Sequence, residues 1–378
     1  MTDAQNPEMT EGQTEEQTQE IHAALKAAQE ASVELNASIE KEPEKHRMLT
    51  GDRPTGALHI GHLFGSLQNR VRLQDQGVES FVVIADYQVL TDRSSADGIS
   101  NNVRELVLDY LAAGLKPDGN GTYIFPHSHV PALNQLLLPF LTLVSMAELG
   151  RNPTIKEEIQ AAGLKTVNAS MFVYPVHQAA DILFCNATVV PVGKDQLPHL
   201  EISRKIARRF NQAYPTKTPT FRMPHALLSE SVMIRGLDGT SKMSKSRNNA
   251  VFLRNTEKET SKLIKRAKTD ADRNITYDPV NRPEVANLLD VYSLCTGETQ
   301  EDIAKDIGDK GAGTLKVGLA NALNEYLAPM RERRVELEKT PGLVEETLRI
   351  GVEKANEVAK ATLNRVLTAM DMAYRIED

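Results

Sequence analysis

The run Ser80-Phe-Val-Val-Ile-Ala-Asp86 limits what this chain can fold into more than any other stretch. Between its two ends it is continuously apolar, with β-branched residues and no polar residue at alternate positions. A strand of that kind needs cover on both faces, which a parallel sheet flanked by helices supplies. A short strand near Met48–Thr50, a strand-like Thr122–Pro126 and a strand over Ala187–Val192 read the same way. Helical patterns lie between them at about His59–Gln76, 97–113, 131–149 and 170–185. Strands alternating with helices predict an α/β fold, a Rossmann-like doubly wound parallel sheet. Beyond about residue 255 the pattern changes, and 256–268, 283–297, 299–307, 313–337 and 342–375 read as helices. The expected organisation is an acidic disordered or helical extension over 1–45, the Rossmann-like domain over 46–250, and an all-helical C-terminal domain over 251–378.

Charge is informative only when divided. Residues 1–45 hold eleven acids and three lysines, a net of −8, and the remainder holds 40 acids against 41 bases, a net of +1. The body is thus close to neutral and binds nucleic acid only if its bases cluster on one face. Within the leader, 1–18 is Glu/Gln/Thr-rich and expected to be disordered. Ile21, Leu25, Ala28, Val33 and Leu35 outline a weak amphipathic helix over 19–41, which Pro43 ends. No run of 18 apolar residues suggests a membrane span, and no secretory signal opens the chain. Cys185 and Cys295 are the only cysteines. Two cysteines without a CxxC pair exclude a disulfide framework and argue against structural zinc, which fits a reducing cytoplasm.

Two segments carry chemistry. Pro54-Thr-Gly-Ala-Leu-His59-Ile-Gly61-His62 sits where a strand turns into a helix. Backbone N–H groups at a helix start favour anions, and Gly56 and Gly61 remove side chains where a nucleotide must approach. His59 and His62, three apart, share a helical face and would reach phosphate oxygens or a nucleotide ring. An ordinary helix start with two surface histidines is the plainer account. Further on, Ser241-Lys242-Met243-Ser244-Lys245-Ser246 lies in a loop rich in Gly, Asp and Thr. Its two lysines would form a phosphate clamp, although Lys/Ser-rich loops are commonly just solvated.

The pair decides between these accounts. A His-x-Gly-His helix start followed by Lys-Met-Ser-Lys-Ser resembles the joint signature of the class I aminoacyl-tRNA synthetases. The blocks Tyr174-Pro-Val-His-Gln-Ala-Ala-Asp181, Val189-Val-Pro-Val-Gly193-Lys-Asp195-Gln196-Leu-Pro-His199 and Ala286–Leu294, with the glycine-rich stretch Gly308–Gly313, are similar to the tryptophan branch of that family. The likeness covers roughly residues 47–375 and leaves the leader outside. It implies that tryptophan is activated with ATP and loaded onto tRNA(Trp) by a homodimer, with Mg²⁺ carried by ATP and the anticodon read by the C-terminal helices. It further implies that Arg53, Pro54, Thr55, Gly61 and His62 contact ATP. Gly193, Lys194 and Asp195 would hold the adenosine, Met233 would touch adenine, and Lys242, Met243, Ser244, Lys245 and Ser246 would hold the phosphates. His59, His62, Lys242 and Lys245 would be the catalytic set. Asp181 would accept the indole N–H, Tyr174 and Gln196 would orient the ammonium end, and Gln178 would line the pocket.

Asp181 also has a physical argument. Indole has one polar atom, a donor, and a lone buried acceptor rejects ligands that cannot satisfy it better than shape alone does. A helix-surface Asp in a salt bridge is the alternative. Departures from the family pattern are His59 and His62 in place of Thr and Asn, Arg53 in place of Gln, and Gln178 in place of an apolar residue. A phosphate-contacting lysine of other bacterial members aligns with Glu158, where Lys156 or Lys165 would substitute. The basic stretch Lys258–Lys268 and Arg331, Arg333 and Arg334 would meet tRNA or simply face solvent. His127, His129 and His177 suggest no metal spacing. Rival readings are a tyrosyl-tRNA synthetase, a small-molecule nucleotidylyltransferase and a non-catalytic synthetase paralogue. A nucleotidylyltransferase lacks the lysine loop and the long helical domain, and intact phosphate sites argue against a non-catalytic chain.

Overall fold

The computed structural model describes residues 28–91, 95–119, 121–152, 154–155, 168–193, 196–228, 234–239, 243–244 and 247–374. Five strands, β1 (Arg47–Asp52), β2 (Glu79–Ile84), β3 (Thr122–Pro126), β4 (Val189–Val192) and β5 (His225–Leu228), form one parallel sheet in the order β3-β2-β1-β4-β5. The continuous apolar run is explained by what covers it. Val82 and Ile84 of β2 enter one buried cluster, and Phe81 and Val83 enter another on the opposite face. The first cluster includes Leu63 and Phe64 after β1, Leu106 and Tyr110 of the helix Ile99–Ala113, and Leu289, Leu315 and Leu323 from the C-terminal helices. The second includes Val176 and Ala180 of the helix Ala169–Leu183, Ile206 and Phe210 of the helix Leu197–Ala213, and Ala355 and Ala359 of the helix Leu343–Ala369. The fold is the α/β, Rossmann-like doubly wound sheet with C-terminal helices that the sequence predicts.

Several elements differ from expectation. The helix after β1 runs from Ile60 to Asp75 and is π-wound over Leu63–Leu67. The stretch 131–149 is three short helices, Pro131–Asn134, Leu137–Leu141 and Met146–Gly150. Pro139, at the third position of the second of these, has no N–H for the carbonyl of Gln135, so the break before Leu137 falls where a proline is tolerated in a first turn. Ser145 then starts a fresh turn through a capping box with Glu148. The helix Leu197–Ala213 and strand β5 were not expected at all. In the C-terminal region, Glu257–Arg266, Pro283–Thr296, Gln300–Ile307, Gly311–Glu338 and Leu343–Ala369 match the expected helices within a few residues, except that the last ends at Ala369. The caps are legible locally: Thr256 and Thr299 each accept a backbone N–H at their helix starts, and Gly297 ends its helix at φ 80°.

The two ends of the chain return to the sheet. Residues 28–41 are helical and lie on the β5 side, where Leu35 and Ile39 bury against Met48, Leu73, Val78, Val189 and Leu227. The Ser32 hydroxyl accepts the Leu228 N–H at 3.0 Å, and its own proton lies between the Ala28 carbonyl oxygen at 2.7 Å and the Ala226 carbonyl oxygen at 3.2 Å. A side chain thus occupies backbone groups of an edge strand. The expected disorder of 1–18 and the first part of the expected helix, with Ile21 and Leu25, lie outside the described residues. At the opposite edge the helix Leu343–Ala369 packs on β3, and a Cβ at Gly351 would stand 1.9 Å from the Ile124 carbonyl oxygen. Helix propensity favours Gly351→Ala by about 1 kcal/mol, but here backbone meets backbone and nothing yields cheaply. The substitution is expected to destabilise the protein by roughly 1–3 kcal/mol, read as a lowered thermal midpoint.

Buried charge ties helices to the sheet layer. Arg334 is buried and pairs with Asp109, with Glu105 at 2.7 Å and with Glu338 at 2.9 Å. Arg331 donates to Asn324 and Thr260, and Arg333 to the Ala112 carbonyl at 2.8 Å. Arg334 is thus spent internally, whereas Arg333 stays exposed. Lys258, Lys262 and Lys265 are exposed. Among the described residues no helix is long and apolar enough to cross a membrane, and both cysteines are free.

Candidate functional site

A doubly wound sheet opens a crevice at the carboxyl ends of its strands, where the winding direction reverses. Here that point lies between β1 and β4, since β2 and β3 extend one way from β1 and β4 and β5 the other. The segment after β1 contains Arg53, Pro54, Thr55 and His59, and Gly193 directly follows β4. The ring centroids of His59 and His62 are 3.8 Å apart, and His62 Nδ1 accepts the His59 N–H at 3.2 Å. The shared face expected from their spacing is present.

The second motif is drawn to this helix start by backbone pairing. Ile60 N–H donates to the Val251 carbonyl and Leu253 N–H to the Leu58 carbonyl, each at 3.0 Å, around an antiparallel bridge between His59 and Phe252. Met243 is buried, and its Cβ lies 3.8 Å from where a Cβ on Gly61 would stand. Asn249 holds the base of the loop: its side chain accepts the Ser244 N–H at 2.8 Å and donates to Asp238 at 3.0 Å. Met243 and Ser244 therefore stand beside the first motif. Lys194, Asp195, Met233, Lys242, Lys245 and Ser246 lie outside the described residues, as do Lys156, Glu158 and Lys165.

The helix Ala169–Leu183, capped by Asn168, carries Tyr174, Gln178 and Asp181. Asp181 is 2% exposed. It is not the surface salt-bridge residue of the alternative reading. One carboxylate oxygen meets His127 Nδ1 at 3.0 Å. The Tyr174 hydroxyl lies 3.1 Å from Nε2 of buried His199. Gln178 is half-buried, and Gln196 precedes the helix Leu197–Ala213, its N–H donating to the Gly193 carbonyl at 3.0 Å. His127, His177 and Asp181 have possible metal-binding atoms within 4.8 Å of one another, a closeness that the sequence spacing did not suggest. His127 Nε2 accepts the Tyr87 N–H at 3.1 Å, and His177 Nε2 meets the Asn134 amide oxygen at 2.7 Å. The cluster is accounted for as a hydrogen-bond network.

Sequence reasoning missed two supports of the site. Asp52, the last residue of β1, pairs with buried Arg70 at 2.7 Å and accepts the Tyr110 hydroxyl at 2.6 Å. Burial opposes ionisation of Asp52, but the Arg70 guanidinium outweighs it and holds the carboxyl well below the usual range. That contribution to stability is fully present above the ordinary carboxylate pKa of about 4 and is lost as the pH falls below it. Arg70→Met strands the carboxylate and is expected to cost roughly 3–5 kcal/mol, read as a lower urea midpoint with an unchanged slope. The second support is the pair Asp86 and His127, at the ends of β2 and β3. Their signal was their place directly after strands, where α/β sites collect functional side chains.

Comparison with known proteins now bears on this geometry. Residues 41–328 match the family described as tRNA synthetases class I (W and Y). A tryptophan–tRNA ligase of Lactococcus lactis is 41% identical over 343 residues, spanning 87% of this chain and 99% of the relative. A tryptophan–tRNA ligase of Treponema pallidum is 40% identical over 335 residues, spanning 87% and 98%. Among solved structures, the tryptophanyl-tRNA synthetase of Campylobacter jejuni complexed with ADP and tryptophan aligns with a TM-score of 0.73 at 30% identity, covering 86% of this chain and 99% of that one.

Proposed function

The chain belongs to the class I tRNA synthetase family of tryptophan and tyrosine enzymes, and on that premise we propose that it converts L-tryptophan and ATP to tryptophanyl-adenylate and pyrophosphate, then transfers tryptophan to the 3′ end of tRNA(Trp). Tryptophan–tRNA ligation is its function, and it is an ATP-dependent, AMP-forming enzyme. The observation that carries the reading is the pairing of residues 58–60 with 251–253, which brings Met243 and Ser244 beside the helix start of the first motif.

The tryptophan carboxylate attacks the α-phosphorus of ATP in line, and pyrophosphate leaves. The nucleophile is ionised at neutral pH, so activation needs no general base. Rate comes from positioning and from stabilising developing charge. Arg53, Pro54, Thr55, His59, Gly61 and His62 line the nucleotide side, with Gly193, Lys194, Asp195 and Met233 on the adenosine. Lys242 and Lys245, with Met243, Ser244 and Ser246, take the leaving pyrophosphate. Mg²⁺ comes bound to the phosphates of ATP and neutralises part of their charge. No acidic residue beside the helix start is needed to hold it. Asp181 takes the indole N–H, and Tyr174, Gln178 and Gln196 complete the amino-acid pocket. A ribose hydroxyl of the tRNA 3′ end then attacks the aminoacyl carbonyl and AMP departs.

The finer parts of the reading are a homodimer with tRNA bridging its subunits, anticodon contact by the C-terminal helices, and a cytoplasmic setting. Exposed Lys258, Lys262 and Lys265, spaced along one helical face, suit an RNA backbone. ATP–pyrophosphate exchange tests the whole reading. Exchange with tryptophan supports it, exchange with tyrosine moves it to the sister enzyme, and exchange with neither overturns it.

A further inference from the structure

The imidazole of His127 is fully buried between two carboxylates, and neither the phosphate chemistry nor the family signatures use it. It projects from the segment after β3 and meets groups from two other segments. From the turn after β2, the Tyr87 N–H donates to Nε2 at 3.1 Å, and an Asp86 oxygen lies 3.4 Å from the same nitrogen. From the helix Ala169–Leu183, Asp181 meets Nδ1 at 3.0 Å, and the His177 ring packs 4.7 Å from the His127 ring. The Tyr87 ring lies 5.5 Å away on a further side.

These contacts favour one tautomer. The Tyr87 N–H is shared, at 3.1 Å each, between Nε2 and Asp86 Oδ1, which suits a lone pair on Nε2 with the proton on Nδ1 donated to Asp181. Asn134 donates to the His127 carbonyl at 2.8 Å and offers its oxygen to His177 Nε2, so His177 donates outward to Asn134. Among the described residues the second oxygen of Asp181 has no hydrogen-bond partner.

We propose that His127 is the positioning residue of the amino-acid pocket: its neutral ring donates Nδ1–H to one Asp181 oxygen, turns the other oxygen toward the indole N–H of tryptophan, and by its own charge state sets how tightly tryptophan is held. This rests on Asp181 being the indole acceptor. Protonating the ring adds an N–H at Nε2, where the Tyr87 N–H loses its acceptor and the Asp86 oxygen at 3.4 Å gains a donor. It also turns the Asp181 contact into an ion pair, which weakens that carboxylate as an acceptor for indole. Burial opposes the charged ring, but Asp181 and Asp86 together lift its titration above the ordinary histidine range. Burial holds His177 lower, so it takes up its proton only after His127 as the pH falls. Tryptophan therefore binds worse as the pH falls and His127 gains its proton.

The test is tryptophan-dependent ATP–pyrophosphate exchange by the full chain, with KM for tryptophan measured from about pH 8.5 to about 5.5, on either side of the ordinary histidine pKa. The variants are H127Q, which carries a donor and an acceptor but no titrating proton, and H127A. A shape-matched analogue with sulfur in place of the indole N–H, benzothienylalanine, reads the hydrogen bond separately. In the wild type KM for tryptophan is expected to rise about fivefold as the pH falls, on the scale separating hydrogen bonds to charged and to neutralised acceptors. H127Q is expected to stay flat near the high-pH value. H127A is expected to raise KM at every pH and to cut the preference for tryptophan over the analogue about tenfold or more. A merely structural residue would leave that preference and the pH profile of KM alone. An H127Q profile that titrates like the wild type overturns the proposal, as does an H127A enzyme with the full preference. If H127A fails to fold, H127Q decides. A wild type without tryptophan-dependent exchange overturns the function reading itself, an outcome distinct from any result in the variants.

Discussion

Lys245→Ala is expected to slow tryptophan-dependent ATP–pyrophosphate exchange by about 10²–10³-fold, the usual effect of removing one preorganised donor worth about 2.7–4 kcal/mol in a transition state. The loop that carries this lysine is anchored at both sides. Met243 is buried against the first motif, and Asn249 ties Ser244 to Asp238. The loss is expected equally in kcat and kcat/KM for tryptophan, because the lysine acts on charge that develops only during the step. Near-normal exchange by the variant would remove Lys245 from the mechanism.

Asp181→Ala is expected to weaken tryptophan binding about 10–150-fold, the worth of a hydrogen bond to a charged acceptor at about 1.5–3 kcal/mol. The chain contains no tryptophan, so the added substrate is the only indole in the sample, and the change in its fluorescence relative to free tryptophan reports saturation. Selectivity against phenylalanine, which has no donor to offer, is expected to relax in the same variant. In the wild type a bare buried acceptor makes that ligand costly. Asp181→Asn keeps the shape without the charge and separates the two contributions. A saturation curve unchanged from the wild type would place the indole contact elsewhere.

Much of this was legible in the residues. The unbroken apolar run of β2 demanded cover on both faces, and its alternate side chains do enter two different cores. Motifs at a strand-to-helix turn announce themselves because backbone geometry restricts the residues there. Other features carried no local signal. β5 is four residues long and too short for periodicity to register. The helix Leu197–Ala213 has Leu200, Ile206 and Phe210 on one buried side, a helical spacing that was present but not picked up. His127 looked like a stray histidine, since its partners sit 54 and 40 positions away in the chain. Arg334 looked like a candidate for RNA, because sequence does not reveal that Asp109, 225 positions distant, claims it. The extension over 1–45 also proved more than an appendage, since residues 28–41 share a buried cluster with three strands.

That last arrangement has a consequence for how the protein is made. Ser32 meets its partner Ala226 across 194 positions of chain. At roughly 5–20 residues per second, synthesis takes about 10–40 s to deliver the strand on which this helix rests. During that wait Leu35 and Ile39 have no complete site to bury in. The nascent chain therefore carries an exposed apolar stripe over that interval, in which a holding chaperone would find it.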